Sequence, residues 1–204
     1  MEGVYAYWIG WGLWTIISFF WPKTKRRMGY AILILALLIV LPLSIQFGQI
    51  QFHLAFVLFS IYLSWHMKSY EMSRLIHVFI VSITIAAAHA GFQMLLIFDP
   101  VIEYTDSRWM ASCIIAIIAF FLSRNLKDRL YVALIGLVQG ELLTSMVLVR
   151  HMRIEQTIGD LYFFDIVAIV SVLFSIVWGF QQISIWIADQ LISESKQRVL
   201  KQSS

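Results

Sequence analysis

Long runs of apolar residues, separated by short polar and charged segments, follow one another along the whole chain. Most of these runs approach the ~20 residues that a helix needs to cross the hydrocarbon core of a bilayer. The alternating pattern of a membrane-barrel strand is absent, so the runs predict helices, whose backbone groups are satisfied within each segment. Seven spans are predicted, at residues 4–21, 29–47, 52–66, 75–98, 109–122, 130–149 and 161–183.

Two of these spans, the third and the fifth, are short for a crossing. No charged residue occurs between Met28 and Met67, however, and this stretch is too long for one crossing. The segment "QFGQIQF" supplies a polar bend between two spans. The fifth span gains length if the side chains of Arg108 and Arg124 reach along the helix toward the membrane surfaces.

Composition supports the same fold class. The chain has 204 residues, of which 60% are hydrophobic and only 13% are charged, and its mean hydropathy is +0.81. Soluble domains carry roughly 25% charged residues. We therefore predict an all-α polytopic membrane bundle in which residues 1–204 form a single transmembrane domain. Cys113 is the only cysteine, which excludes an intramolecular disulfide and a CxxC site.

The basic residues decide the predicted orientation. Seven spans place the two chain ends on opposite sides, and 12 of the 15 basic residues then share the side of the C-terminus. The basic run formed by Lys23, Lys25, Arg26 and Arg27 determines the topology most strongly. The positive-inside rule places the N-terminus outside and the C-terminus in the cytoplasm. Such clusters between apolar spans also explain the net charge of +3 without a nucleic-acid partner.

Both chain ends are predicted to belong to the single transmembrane domain. The opening residues "MEG" lack the positive charge and the cleavage site of a signal peptide, so the first span is predicted to be retained. Residues 190–204 are predicted to form a short cytoplasmic amphipathic tail. Two alternatives are left open for this tail, docking on lipid head groups and exposure to solvent.

One ionisable residue, Glu141, lies in the middle of a predicted span. By the rise of an α-helix, Glu141 lies ~12 Å below the outer end of its span, His89 ~13 Å and Ser171 ~15 Å below the outer ends of theirs. An ionisable side chain inside a bilayer is a functional hypothesis by default. We therefore predict a buried polar cluster of His89, Gln93, Glu141 and Ser171, reached from the outer side, that carries a proton or holds a small polar ligand.

A structural role explains the same residues. Polar side chains join transmembrane helices through hydrogen bonds worth ~1 kcal/mol each, and such glue needs no ligand. Gly136 and Gly140 form a GxxxG pair on the helix of Glu141, and "AAAHAG" around His89 is similarly small. Both segments predict close helix packing. Asp165, by contrast, lies only ~6 Å below the outer end of its span, where water is expected to reach it.

Other chemistries are excluded or weakly supported by the residue pattern. No lysine lies in a span, so a retinal Schiff base is excluded, and neither HExxH nor GxSxG occurs. Facing histidines at matched depth can ligate haem, and His66 and His77 are the only such pair. Interfacial histidines without a ligand are the simpler interpretation. No catalytic residue, metal site or cofactor is predicted.

The opening segment "MEGVYAYWIGWGLWTIISFFWPKTKRR" resembles the start of the YphA-type membrane proteins of Bacillus-like spore formers. The resemblance consists of an aromatic helix followed by a basic run, and chain length and hydrophobic layout are also similar. It implies a bacterial cell-membrane location and a link to sporulation. It carries no catalytic residue to this chain.

These observations predict a multi-pass protein of the bacterial cell membrane without enzymatic activity. Its leading function is that of an accessory or scaffold protein that binds the lipid bilayer and other membrane proteins through small-residue helix faces. The alternative is a small-molecule or proton-linked transporter or sensor that uses the His89–Glu141 region. A membrane-embedded enzyme comes third.

Overall fold

The computed structural model describes residues 2–47, 50–68, 70–123, 126–152 and 156–202. Side chains are described for these residues except 26, 47, 50, 126–127, 151–152, 156, 189 and 191–202. Within this part of the chain, helices dominate: α1 Val4–Phe19, α2 Lys25–Val40, α3 Leu54–Met67, α4 Met72–Phe98, α5 Ser107–Leu122, α6 Leu126–Met152 and α7 Leu161–Gln202. Each of the seven predicted spans overlaps one of these helices.

The second span differs most from its prediction. Helix α2 begins at Lys25, four residues early, because the Thr24 side chain accepts a hydrogen bond from the Arg27 N–H at 3.3 Å and caps the helix. The helix also ends at Val40, well before the predicted end at residue 47.

The last four residues of that span form a β-strand, which the prediction of helices alone missed. Strand β1 (Ser44–Phe47) pairs antiparallel with β2 (Ile50–His53), and β3 (Gln156–Ile158) pairs parallel with β2. The sequences "SIQF" and "IQFH" alternate apolar and polar residues, which is the period of a strand. The described residues of the predicted polar bend therefore belong to the two paired strands.

Helix length divides the bundle into two classes. Helices α1, α2 and α5 have 16 residues and α3 has 14, which gives lengths of ~21–24 Å against a hydrocarbon core of ~30 Å. Helices α4 and α6 have 27 residues each. Among the described residues, three segments are long and apolar enough to cross a membrane by length and composition: Met72–Phe98, Asp128–Arg150 and Leu161–Ala188.

Helices α4 and α6 pack along each other at the centre of the bundle. The pairs Arg74–Asp128 and His89–Glu141 follow the same order along both helices, so the two helices are parallel. Helix α7 completes the core with Phe163, whose ring meets that of Phe56 on α3 at 5.3 Å. Large apolar side chains on the outer faces remain exposed, as expected of helices that face lipid.

Helix α7 extends beyond its neighbours. Its backbone is helical to Gln202, so the predicted tail at residues 190–204 begins inside this helix. Side chains from residue 191 onward lie outside the described residues. The alternatives of a lipid-bound and a solvated tail therefore remain predictions.

Candidate functional site

The closest approach between α4 and α6 occurs at two glycines of α6. A Cβ atom on Gly136 would lie 2.6 Å from Cβ of Ile85, and one on Gly140 would lie 3.0 Å from Cβ of His89. A side chain at Gly136 would force the helices apart, and one at Gly140 would require its neighbours to give by a few tenths of an ångström. The GxxxG pair thus packs against α4 within the same chain.

His89 and Glu141 face each other across this contact. The distance from His89 Nε2 to Glu141 Oε2 is 3.7 Å, with the His89 side chain fully buried and that of Glu141 12% exposed. This distance suits an ion pair but exceeds a hydrogen bond. Neither ring nitrogen of His89 has a hydrogen-bond partner among the described residues.

The second oxygen of Glu141 holds the segment that leads into α7. The backbone N–H of Gly159 donates to Glu141 Oε1 at 3.2 Å. Gly159 has φ +70, which favours glycine, and a Cβ there would lie 2.2 Å from Cβ of Phe56. Glu141 therefore ties α6 to the start of α7, which begins only two residues later.

This link corrects the predicted position of Ser171. Because α7 begins near the depth of Glu141, Ser171 lies about 15 Å further along the bundle than Glu141. Its hydroxyl donates to the Val167 carbonyl at 2.7 Å, and it lines an apolar cavity between α1, α2, α3 and α7. Ser171 is thus not part of the cluster.

Gln93 lies one turn beyond His89 on α4 and is half-buried. Its side chain and that of Ser107 approach the hydroxyl of Tyr162, although this hydroxyl makes no hydrogen bond of regular geometry among the described residues. Gln93 therefore belongs to a contact between α4, α5 and α7. Of the four predicted cluster residues, the structure pairs only His89 and Glu141.

A buried ionic network at the starts of α1, α5 and α7 was not predicted. Asp165 is completely buried, which corrects the expectation that water reaches it. Its carboxylate accepts hydrogen bonds from the N–H groups of Gly3 and Ala6, both at 2.8 Å, and from Arg108 Nη1 at 2.7 Å. Asp165 thus caps α1 and joins it to α5.

Arg108 does not extend along α5 toward the membrane surface as predicted. Its guanidinium bridges Asp165 and Asp106, with Nε 2.7 Å from Asp106 Oδ1, and lies 5.1 Å from the ring centre of Tyr5. Hydrogen bonds from Arg108 hold the pKa of the Asp106 carboxyl below its usual value. The sequence signal for this network is an acid one turn into α7 with an arginine at the start of α5.

Asp160, which directly precedes α7, has a pKa shifted in the opposite direction to that of Asp106. Burial raises the pKa of its carboxyl to about 6, and the nearby Glu141 carboxylate adds to this shift. The N–H of Phe163 donates to Asp160 Oδ1 at 2.8 Å, and this hydrogen bond opposes the rise in pKa. Asp160 therefore caps α7 while remaining partly protonated in mildly acidic solution.

The opposite end of the bundle carries the basic residues. Arg27 Nη1 donates to the carbonyls of Ser18 and Trp21 at 3.3 and 3.4 Å, and so satisfies the end of α1. Lys23 and Lys25 are exposed beside it, and the side chain of Arg26 lies outside the described residues.

The remaining histidines give no support to a haem site. His66 stacks on Tyr131 with ring centres 4.2 Å apart, and His77 is exposed. No cluster of three or more potential metal ligands occurs among the described residues.

Two cavities among the described residues lie away from the His89–Glu141 pair. One of about 490 Å³ is bounded by α1, α2, α3 and α7, and another of about 320 Å³ lies between α4 and α6 near Gln139. Neither is lined by His89 or Glu141. The arrangement around this pair is that of a packed helix contact.

Comparison with known proteins extends the resemblance beyond the opening residues. The sequence model of the YphA-like integral membrane proteins matches residues 2–201. The chain is also similar to an uncharacterized protein, YphA, of Bacillus subtilis (strain 168), with 29% identity over 154 residues that cover 72% of this chain and 73% of that protein. No solved structure matches the chain. The predicted family is confirmed over nearly the whole sequence.

Proposed function

The chain belongs to the YphA-like integral membrane proteins, and from this premise we propose that it is a seven-pass accessory or scaffold protein of the bacterial cell membrane, without enzymatic activity. The observation that carries the proposal is the close packing of His89 against Glu141. The ionisable groups at the centre of the bundle brace its helices and line neither of the two cavities described above.

The seven-pass arrangement is supported by the ends at which the helices begin. Asp165 holds the start of α1, and Arg108 beside it lies at the start of α5, so α1, α5 and α7 all begin at one end. Arg27 and Arg74 lie at the opposite end, which the positive-inside rule assigns to the cytoplasm. The N-terminus is then outside and the C-terminus inside.

Cysteine labelling in intact cells tests this orientation. Cys113 is first replaced by alanine, and Gln46→Cys on the hairpin or Glu71→Cys before α4 is then introduced; both positions are exposed. We expect a membrane-impermeant maleimide to label position 46 before cell lysis and position 71 only afterwards. The reverse order would contradict the orientation, and labelling of both before lysis would contradict an odd number of crossings between the two positions.

Binding of other membrane proteins requires a surface that the bundle itself does not use. Gly136 and Gly140 are occupied by α4, so the predicted small-residue contact serves the interior. On the outer face of α4, a Cβ on Gly91 would meet nothing within 4 Å, and Ala87 one turn earlier is exposed. Small residues on a lipid-facing helix allow a partner helix to approach closely.

Affinity purification in mild detergent tests the scaffold function. We expect defined membrane proteins to co-purify with the wild type and to be lost with Gly91→Phe. They should be retained with Ile76→Phe, which keeps an exposed apolar side chain on the same helix. Equal recovery with both variants would exclude this face of α4, and a wild type that recovers no specific protein would contradict the scaffold function.

One observation favours a second candidate, a proton-linked transporter or sensor. Neither ring nitrogen of the buried His89 has a hydrogen-bond partner in the part of the chain that the structure describes, and the Glu141 carboxylate lies 3.7 Å away. Such a pair can exchange a proton when it opens. Glu141→Gln keeps the shape and removes the charge, so full rescue of a deletion phenotype by this variant would exclude proton handling.

The link to sporulation rests on family resemblance alone. A deletion strain that forms heat-resistant spores with wild-type efficiency would contradict it.

A further inference from the structure

The largest cavity described above is a groove in the bundle, called here the α2–α3 groove. Small residues on α1 and α7 form its back wall: Ala6, Gly10, Ala168 and Ser171. Its rim consists of exposed side chains of α2 and α3, including Leu33, Leu58 and Trp65, the last of which is 75% exposed. The groove therefore opens sideways, toward the surface that faces the bilayer.

We propose that the α2–α3 groove binds one acyl chain of an anionic phospholipid from the leaflet on the basic side of the bundle. The lining is almost wholly apolar, and the Ser171 hydroxyl in it is already bonded to the Val167 carbonyl. Such a wall offers few partners to a polar ligand. In an integral membrane protein, the apolar phase outside the rim is lipid.

The dimensions select an acyl chain over a helix. Along α1, the lining runs from Ala6 to Leu13, which is about 10 Å of helix axis. A helix that crosses the hydrocarbon core is ~30 Å long, so this groove would hold a partner helix over only about a third of its length. A flexible hydrocarbon chain can enter a space of about 490 Å³ over that short length.

Charge at one end of the groove selects the head group. Lys68 Nζ lies 5.7 Å from the ring centre of Trp65 on the rim. Arg27 lies on α2 about 9 Å from Leu33, at the same end. Basic residues between helices on the cytoplasmic side are the usual ligands of anionic lipid head groups. A phosphate at this end places its acyl chain along the apolar wall.

Native mass spectrometry of the full-length protein tests the proposal, with dioleoyl phosphatidylglycerol as the probe and dioleoyl phosphatidylcholine for comparison. We expect the wild type to retain one phosphatidylglycerol. Ala168→Phe, which fills the groove from its back wall, should weaken retention about tenfold or more. Thr84→Phe adds the same side chain at an exposed position of α4, outside the groove, and should leave retention unchanged. Should Ala168→Phe fail to fold by circular dichroism, Ala36→Phe on the same lining replaces it.

Lys68→Gln tests the contribution of the lipid head group separately from that of the acyl chain. We expect this variant to bind the two lipids equally while still retaining one. Equal retention of phosphatidylglycerol by the wild type and the groove-filling variant would overturn the proposal. A wild type that retains no lipid and forms a dimer lost in Ala168→Phe would overturn it in favour of a second copy of the chain.

Discussion

Replacement of Asp165 by asparagine is the perturbation for which the structure gives the clearest magnitude. Asp165 is fully buried and accepts three hydrogen bonds, from Gly3, Ala6 and Arg108. Asparagine keeps the shape, but it removes the charge and replaces one acceptor oxygen by a donor. At least one N–H at the start of α1 or the guanidinium then loses its acceptor.

The loss in free energy of unfolding depends on the partners that Arg108 retains in the variant. Breaking a buried ion pair costs ~3–5 kcal/mol when the remaining charge is left unpaired. Arg108 keeps Asp106, and its own side chain is 16% exposed, so we expect the lower end, about 3 kcal/mol. That loss corresponds to a more than hundredfold change in the unfolding equilibrium.

Asp106→Asn is the matched control because it acts on the same arginine. The Asp106 side chain is 33% exposed, and exposed pairs contribute up to about 1 kcal/mol. Asparagine also retains the cap that Asp106 gives to α5. The assay is equilibrium unfolding in mixed micelles of mild detergent and sodium dodecyl sulfate, followed by circular dichroism. Equal destabilisation by the two variants would refute the role of burial in this network.

Three further predictions follow from close contacts and from one shifted pKa. Gly136→Ala should destabilise the bundle by about 1–3 kcal/mol because its Cβ would lie 2.6 Å from Ile85, whereas Gly91→Ala, with nothing within 4 Å, should be neutral or slightly stabilising in the same micelle assay. Gly159→Ala should destabilise more than Gly136→Ala, because the new Cβ would lie 2.2 Å from Phe56 and φ is positive; equal losses would contradict the role of φ. Burial raises the pKa of Asp160 to about 6 from 3.8, so the folded state binds the proton more tightly and stability falls as pH rises from about 4 to 6, by at most about 3 kcal/mol. Asp160→Asn should remove this part of the pH dependence of Tm. If Tm depends on pH as in the wild type, another group causes the dependence.

The apolar runs were sufficient to locate the helices, because burial in lipid leaves a helix as the only way to satisfy the backbone. Helix ends were less predictable, since they depend on local caps such as Thr24 before α2. The hairpin at residues 44–53 was missed because its alternating pattern is short and lies inside an uncharged stretch. A pattern of four residues per strand is too weak a signal next to a long apolar run.

The candidate site was predictable where neighbouring helices share a depth. His89 and Glu141 were paired by counting from the ends of their spans, and they lie 3.7 Å apart. The same counting misplaced Ser171 and Asp165, since it assumed that every helix begins at one plane. Helix α7 instead begins near the depth of Glu141, through the hydrogen bond to Gly159. That stagger depends on tertiary contacts between α1, α5 and α7, which no single span encodes.

The central claim is that the His89–Glu141 contact is a dry packing contact of the fold, and solvent access to position 141 tests it most directly. In a Cys113→Ala background, Glu141→Cys is reconstituted in nanodiscs, where both membrane faces are open to a membrane-impermeant maleimide. The exposed Gln46→Cys serves as the positive control. We predict that position 141 stays unlabelled while position 46 reacts to completion. Labelling of position 141 at the rate of position 46 would contradict the claim and favour a transporter or sensor.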